Sequence, residues 1–389
     1  MTVEQNIARL KHLVRMYGLS VPQLLEKVSE GLKSPVTEGE LFAANIKLST
    51  LKRVDTVFNK GLHYYLDPKA PLGTPESSVF FRKERFNADL NLAARKVVTR
   101  FEDFAISLSA IAKLADLEQS RVLPLYTTKT PPQQAAADMR AALSPAFHEG
   151  SREHLKGLIS ALAAKNVLVF EFVETWNQKE KANIDGFFLK PNVIVLKRHQ
   201  NAFRREIFTL AHEFGHYLLG EEEVEELPVE VLAKKNLSAI ERWCNDLAFH
   251  FLAGDHARIL EALDKATAAN DYHFDTLTAV SKATHLSLLA LFTRLRLNDR
   301  ISAADYTRVK DDLEERHLRD QMEREREREE KKRLDEEEGR RSDARTPQPI
   351  KSPLLVSTIQ TAFHEGVLSE YEVREKWKFS NTEFERYFG

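Results

Sequence analysis

In the stretch FTLAHEFGHYLLGEEE, residues 208–223, two histidines stand four apart with a glutamate directly after the first. On a helix, positions i and i+4 share one face with their β-carbons about 5–6 Å apart. His212 and His216 can therefore aim one ring nitrogen each at a single zinc ion, at bonds of about 2.0–2.1 Å. Glu213 is rotated aside from that pair and is better placed to touch a metal-bound water than the metal itself. The chemistry such a set performs is hydrolysis, with zinc lowering the pKa of water to about 7 and the glutamate as general base, handing the proton on to the leaving amine.

A catalytic zinc takes three protein ligands and keeps one position open. The extended motif with a histidine six residues after the second is absent, because Glu222 stands there. The acidic run Glu221–Glu226 follows the helix end too closely to fold back and reads as a solvated loop. His250 and His256 are further candidates. The strongest is Glu241 in IERWCNDLAFHFLA, a strongly apolar helix in which a charged residue faces inwards only for a reason. Asn245, four residues on, shares its face and suits the hydrogen bond that holds the second ring nitrogen of a ligand histidine, with Asp246 as the fallback. Cys244 reads as a small buried residue. No residue stands out as an oxyanion stabiliser; Tyr217, which reads as core, His250, Arg204 and Arg205 all remain open.

These residues need elements to hold them. Ile207, Phe208, Leu210, Ala211, Phe214, Leu218 and Leu219 keep a helical apolar pattern that buries the helix, which begins near Phe203 and which Gly220 is placed to end. Upstream, VLVFEFV (Val167–Val173) reads as a strand from its β-branched and aromatic content, and IDGFFLKPNVIVLKR gives two more strands joined as a hairpin around Lys190-Pro191-Asn192. Either VLVFEFV or the hairpin offers an edge along which an extended peptide can pair across the zinc. Two helices, AAADMRAAL and HLKGLISALAAKN, precede the strands after the break TTKTPPQQ.

RREIFTLAHEFGHYLLG followed by ERWCNDLAFHFLA resembles the ImmA/IrrE family of zinc metallopeptidases. The resemblance runs from about Pro131 to Leu297 and takes in PPQQAAADMRAAL, VLVFEFV, GFFLKPNVIVLKR and VSKATHLSLLALFTRLRLNDRIS. It implies zinc as cofactor, His212, His216 and Glu241 as ligands and a catalytic Glu213. It further implies an α+β, mainly helical chain whose zincin-like metallopeptidase core, a small sheet plus the active-site helix, is flanked by helical N- and C-terminal domains. Cys244, Leu247 and Ala253-Gly254 depart from the family pattern at packing and loop positions, which touches substrate choice more than metal binding.

The remaining organisation follows from pattern. MTVEQNIARLKHLV reads as an amphipathic helix without the features of a signal peptide, and no apolar run approaches the roughly 20 residues of a membrane span. A single cysteine excludes an intrachain disulfide and fits a reducing, cytoplasmic setting. The net charge of -2 points to no polyanionic or membrane partner. Residues 1–67 resemble a divergent Xre-type helix-turn-helix domain through YGLSVPQLLEKV, with a turn at Gly18-Leu19-Ser20 and a later helix opened by Ser49; GLKSPVTEGELFAANIK lacks the usual polar recognition helix. Residues 68–130 read as a linker and long helix, 131–300 as the peptidase domain, 301–350 as a charged, solvated helix and linker, and 351–389 as a small helical tail. In the tail Leu354, Leu355, Phe363, Trp377 and Phe384 look buried. FFRKERF (Phe80–Phe86) interleaves basic and aromatic residues and is equally a packing patch.

Three functions fit. One is a zinc endopeptidase cutting a regulatory protein such as a repressor or antitoxin. Another is an Xre-type regulator that binds DNA through residues 1–67 and uses the zinc domain for sensing or stability. The third is a scaffold recruiting partners through the charged helix and tail.

Overall fold

The computed structural model of the chain describes residues 1–70, 90–117, 120–174, 180–198, 203–222, 238–337 and 348–388. FFRKERF, the acidic run beyond Glu222 and the charged stretch after residue 337 lie outside them. The described residues are mainly helical with two small sheets, and they divide into two compact units.

The first unit comprises residues 1–105 and 180–183. It opens with a strand, β1 (Thr2–Glu4), rather than the helix that the first residues suggest. The reason is local: Asn6 accepts hydrogen bonds from the Ala8 and Arg9 amides and so starts α1 (Ile7–Met16) behind it. Helix α2 (Val21–Ser29) begins at Ser20 in a reciprocal capping box with Gln23. A one-turn helix, α3 (Glu38–Leu41), and strand β2 (Asn45–Lys47), paired antiparallel with β1, occupy the segment after α2. Helix α4 (Leu48–Phe58) starts one residue before Ser49, after Lys47 and with no side-chain cap, so Ser49 lies inside it. Asn59 in the left-handed region and Gly61 separate α4 from α5 (Leu62–Leu66). Leu10, Leu24, Leu51, Val54 and Tyr65 make the core.

The second unit comprises residues 106–179 and 184–389; helix α6 (Leu92–Leu114) begins ahead of it. Helices α7 (Pro132–Leu143) and α8 (Ser151–Ala163) lead to β3 (Leu168–Phe172). Strands β4 (Gly186–Leu189) and β5 (Val193–Lys197) form the antiparallel hairpin expected around Lys190-Pro191-Asn192. The sheet order is β3-β5-β4, with β3 parallel to β5. Strands buried along almost their whole length match the unbroken apolar runs VIVLK and GFFL. Helix α9 (Phe203–Leu219) packs on β4 and β5, and α10 (Ala239–Ala253) crosses α9. Helices α11 (Ala257–Ala262), α12 (Phe274–Thr284) and α13 (Leu288–Leu297) complete the layer around α10.

Helix α14 (Ala303–Glu337) carries the charged sequence; Leu318, Met322 and Leu334 are about half exposed on it. The tail folds as α15 (Pro353–His364), α16 (Glu370–Glu375) and α17 (Asn381–Phe388), with α15 against α8. Leu355 and Trp377 are buried there, whereas Leu354, Phe363 and Phe384 are only partly so. Among the described residues no helix is long and apolar enough to cross a membrane.

Candidate metal centre

Helix α9 ends where it does because Gly220 adopts φ +64°, a conformation other residues reach at a cost. Its amide returns to the Tyr217 carbonyl and that of Glu221 to the His216 carbonyl, both at 3.1 Å, closing a Schellman turn around the second histidine. Arg121 caps the same end: its guanidinium donates to the Tyr217 carbonyl at 2.8 Å and stacks 4.0 Å from the Tyr217 ring centroid. Tyr217 is wholly buried between Phe188 and Phe214, as a core residue. Helix α10 begins at Ser238, whose hydroxyl accepts from the Glu241 amide at 3.1 Å. The Trp243 indole donates to the Thr130 carbonyl at 2.7 Å and ties α10 to the segment ahead of α7.

These ends bring His212, His216 and Glu241 together. The two Nε2 atoms are 3.1 Å apart. The Glu241 carboxylate places Oε2 3.1 Å from His212 Nε2 and Oε1 3.0 Å from His216 Nε2. Ligand atoms of a tetrahedral zinc, at bonds of about 2.0–2.1 Å, stand roughly 3.3 Å apart. All three side chains are buried, Glu241 completely. This is the sole such cluster among the described residues.

Asn245 fixes the tautomer. Its Oδ1 lies 2.9 Å from His212 Nδ1, and an amide oxygen only accepts, so the ring hydrogen sits on Nδ1 and a lone pair points from Nε2 into the cluster. That lone pair then faces a carboxylate, an arrangement that calls for a positive charge between them. Burial alone would hold the His212 imidazole neutral, yet the Glu241 carboxylate lifts its pKa to about 9. The same pairing holds the Glu241 carboxyl below its ordinary range against the effect of burial. Neither Glu241 oxygen accepts a conventional hydrogen bond, and His216 Nδ1 finds no partner among the described residues. A divalent cation fits that donor set. The two imidazoles and the carboxylate would hold it, and zinc suits nitrogen and carboxylate ligands.

Glu213 points to the other flank of α9, toward the sheet. A β-carbon built on Gly186, the first residue of β4, would stand 3.1 Å from Glu213 Cγ and 2.6 Å from Thr209 Cγ2. Only glycine lets that edge strand come so close to Glu213.

The other candidates lie elsewhere. Asp246 pairs with Arg294, and His250 Nε2 sits 3.2 Å from the same guanidinium. Burial first, and then Arg294, keep the His250 imidazole below its ordinary pKa. His256 falls in the short turn after α10. Arg204 donates to the Ser281 hydroxyl at 2.7 Å, and Arg205 pairs with Asp185. Glu222 corrects the expectation of a solvated acidic run: it is buried, and Oε1 accepts the Lys190 amide at 2.7 Å, bracing the β4–β5 turn. Cys244 is fully buried against Gly215. Gly215, Arg121 and Gly186 escaped the sequence reading. A glycine inside a helix, where it costs about 1 kcal/mol, was the available signal for the first.

Two histidines and a carboxylate, with the Glu213 carboxylate nearby, form a buried group that could hold a divalent metal ion. Residues 165–284 match the family described as IrrE N-terminal-like domain, peptidase M78. The match indicates a peptidase and contains the whole cluster. Among curated proteins and solved structures, none matches the chain significantly.

Proposed function

We propose that the chain is a zinc-dependent endopeptidase of the ImmA/IrrE type that cuts a regulatory protein in the cytoplasm, a repressor or antitoxin. The observation that carries this reading is the buried convergence of His212, His216 and Glu241 with Glu213 turned toward strand β4. A purely structural site has no use for a glutamate beside the histidine pair.

A bound zinc supplies Lewis acidity and lowers the pKa of water to near 7. The chain's residues supply the rest. Glu213 takes the proton from water and returns it to the amine that leaves. Asn245 holds His212 in the tautomer that keeps Nε2 free of hydrogen. Strand β4 lies at an edge of the sheet and borders Glu213, so a substrate backbone laid beside it crosses the site with its carbonyl near the base. The low exposure of the cluster excludes bulk water and strengthens each electrostatic interaction there.

The test compares three proteins for metal content and for cleavage of repressors or antitoxins encoded beside the gene. Glu213→Gln should keep zinc and lose turnover; His212→Ala and Glu241→Ala should lose both. Normal cleavage by Glu213→Gln would remove the assigned base and with it this mechanism.

A further inference from the structure

Strand β4 is only four residues long, yet side chains of the α9 segment tie the chain at both of its ends. Just ahead of it, Arg205 donates from Nε to Asp185 Oδ2 at 2.9 Å and from Nη2 to the same oxygen. Just behind it, Glu222 Oε1 accepts the Lys190 amide at 2.7 Å. The ladder to β5 holds β4 sideways, and the Asp185 carbonyl extends that ladder by accepting the Lys197 amide at 2.7 Å. The ladder fixes β4 within the sheet. The two side-chain ties fix its height above the helix.

Arg205, Thr209 and Glu213 stand one turn apart along one face of α9. The strand follows that face in the direction of the helix. Asp185 meets Arg205, Gly186 lies over Thr209 and Glu213, and Lys190 meets Glu222 just past the helix end. At Gly186 the gap is at the limit that glycine allows, since a β-carbon there would stand 3.1 Å from Glu213 Cγ. A glycine has no side chain whose burial would draw the strand in, so the pull comes from the ties on either side. Neither tie involves His212, His216 or Glu241. The Arg205 side chain is 39% exposed, and a pair so open to water adds little to the stability of the core.

We infer that Arg205 and Glu222 are positioning residues of the proposed peptidase: they clamp the edge strand at a set distance from Glu213 and so determine where the carbonyl of a peptide paired with β4 falls relative to that base. The inference rests on the hydrolase reading above. Reacting groups must come within about 3–3.5 Å, and a misplacement of about 1 Å can cost on the order of 100-fold in rate. With the clamp released, a peptide still pairs with the β4 backbone and its affinity is retained, but its carbonyl no longer meets Glu213 at the same distance. The loss therefore falls on kcat rather than KM.

Zinc-loaded full-length protein is given a proteome-derived peptide mixture, and a peptide that the parent cuts then serves for kinetics well below the melting temperature. Arg205→Met and Glu222→Ala should each lower kcat roughly 10- to 100-fold, with KM within about twofold of the parent. Arg205→Lys, which keeps a donor for Asp185, and Glu222→Gln, whose amide oxygen still accepts from Lys190, should recover most of that loss. Zinc affinity, read by competition with an indicator, should match the parent in all of these variants, because no ligand lies on β4. Without substrate, hydrogen exchange of the β4 amides should quicken in Arg205→Met and Glu222→Ala, and that of α10 should not. Glu222 is 5% exposed and its loss could unsettle folding, so the exposed Arg205 decides the matter. An Arg205→Met protein that turns over like the parent, or that loses only KM, overturns the clamp and leaves the hydrolase reading standing. A zinc-loaded parent that cuts no peptide in the mixture overturns both.

Discussion

Gly215 of α9 and Cys244 of α10 meet with little room for a β-carbon between them. One built on Gly215 would stand 3.0 Å from Cys244 Sγ and 3.1 Å from its Cα. Gly215 sits between His212 and His216 in sequence, and Cys244 is three residues after Glu241. The spacing of these helices thus helps set the distance between the imidazole pair and the Glu241 carboxylate.

Gly215→Ala should loosen the metal site. Alanine gains about 0.8–1 kcal/mol of helix propensity over glycine. Overpacking a close helix contact costs about 1–3 kcal/mol, and here the obstacle includes a backbone Cα that cannot swing away. The clash wins. The metal-free variant should melt several degrees lower, and its zinc affinity should fall at least tenfold as Glu241 is pushed off the triangle. Thermal unfolding with a chelator, and competition against a zinc indicator, measure the two effects. An unchanged affinity would mean that the helices have slack at this crossing.

Asn245→Ala should weaken zinc binding without removing any ligand. The Asn245 oxygen, 2.9 Å from His212 Nδ1, fixes which nitrogen carries the hydrogen. Loss of such a partner costs typically 10- to 100-fold in metal affinity or activity. Competitive chelation at pH 7.5 measures it. Asn245→Asp, which also accepts from Nδ1, should recover much of the loss, an outcome that packing alone would not produce.

How legible the site was depends on the span over which each contact is made. His212, Glu213 and His216 lie on one helix, where the 3.6-residue period fixes their directions from spacing alone. Glu241 and Asn245 stand out as polar residues four apart on one face of a strongly apolar helix, a placement that an inward partner explains. The Gly215–Cys244 crossing and the Gly186–Glu213 approach join elements far apart in sequence, and the glycines that make them carry no side-chain signal. Glu222 read as one member of a solvated acidic run because its partner, the Lys190 amide, lies 32 residues earlier on the hairpin turn. In the first unit β1 and β2 are three residues each, too short for an alternating pattern to show, and their pairing spans more than forty residues.

Acid should destabilise the second unit through His154. Its ring stacks on that of His285 with centroids 4.4 Å apart, and His285 stacks in turn on Phe147. Burial first, then His285, His148 and Arg140, lower the His154 pKa to about 4. The folded state thus binds this proton less readily than the unfolded chain, where histidine titrates near 6.5. The stability from a neutral His154 is fully present above pH 6.5 and is lost as pH falls toward 4, by on the order of 2–3 kcal/mol. His154→Phe keeps the stack and removes the titration. Melting temperature against pH should fall less steeply between 6.5 and 4.5 for the variant; parallel curves would assign the acid loss to other groups.

The buried charges beside the sheet make the last test. Arg198 Nη1 reaches Glu171 of β3 at 3.2 Å and Glu206 of α9 at 3.3 Å, with both glutamate side chains fully buried. Glu171 also accepts the Ile350 amide at 2.5 Å, so the guanidinium joins the sheet to the first turn of α9, and Glu171 links both to the chain entering the tail. Burial raises the Glu171 carboxyl pKa despite that amide and Arg198. Removing one partner of a buried ion pair costs about 3–5 kcal/mol, because a charge is left without compensation, whereas replacing the whole group by apolar residues of similar volume is often neutral. Arg198→Met should therefore destabilise by about 3–5 kcal/mol in urea unfolding. The triple change Arg198→Met, Glu171→Leu, Glu206→Leu should recover most of that loss. A triple variant less stable than the single one would show that the charges themselves, and not only their mutual compensation, hold α9 on the sheet.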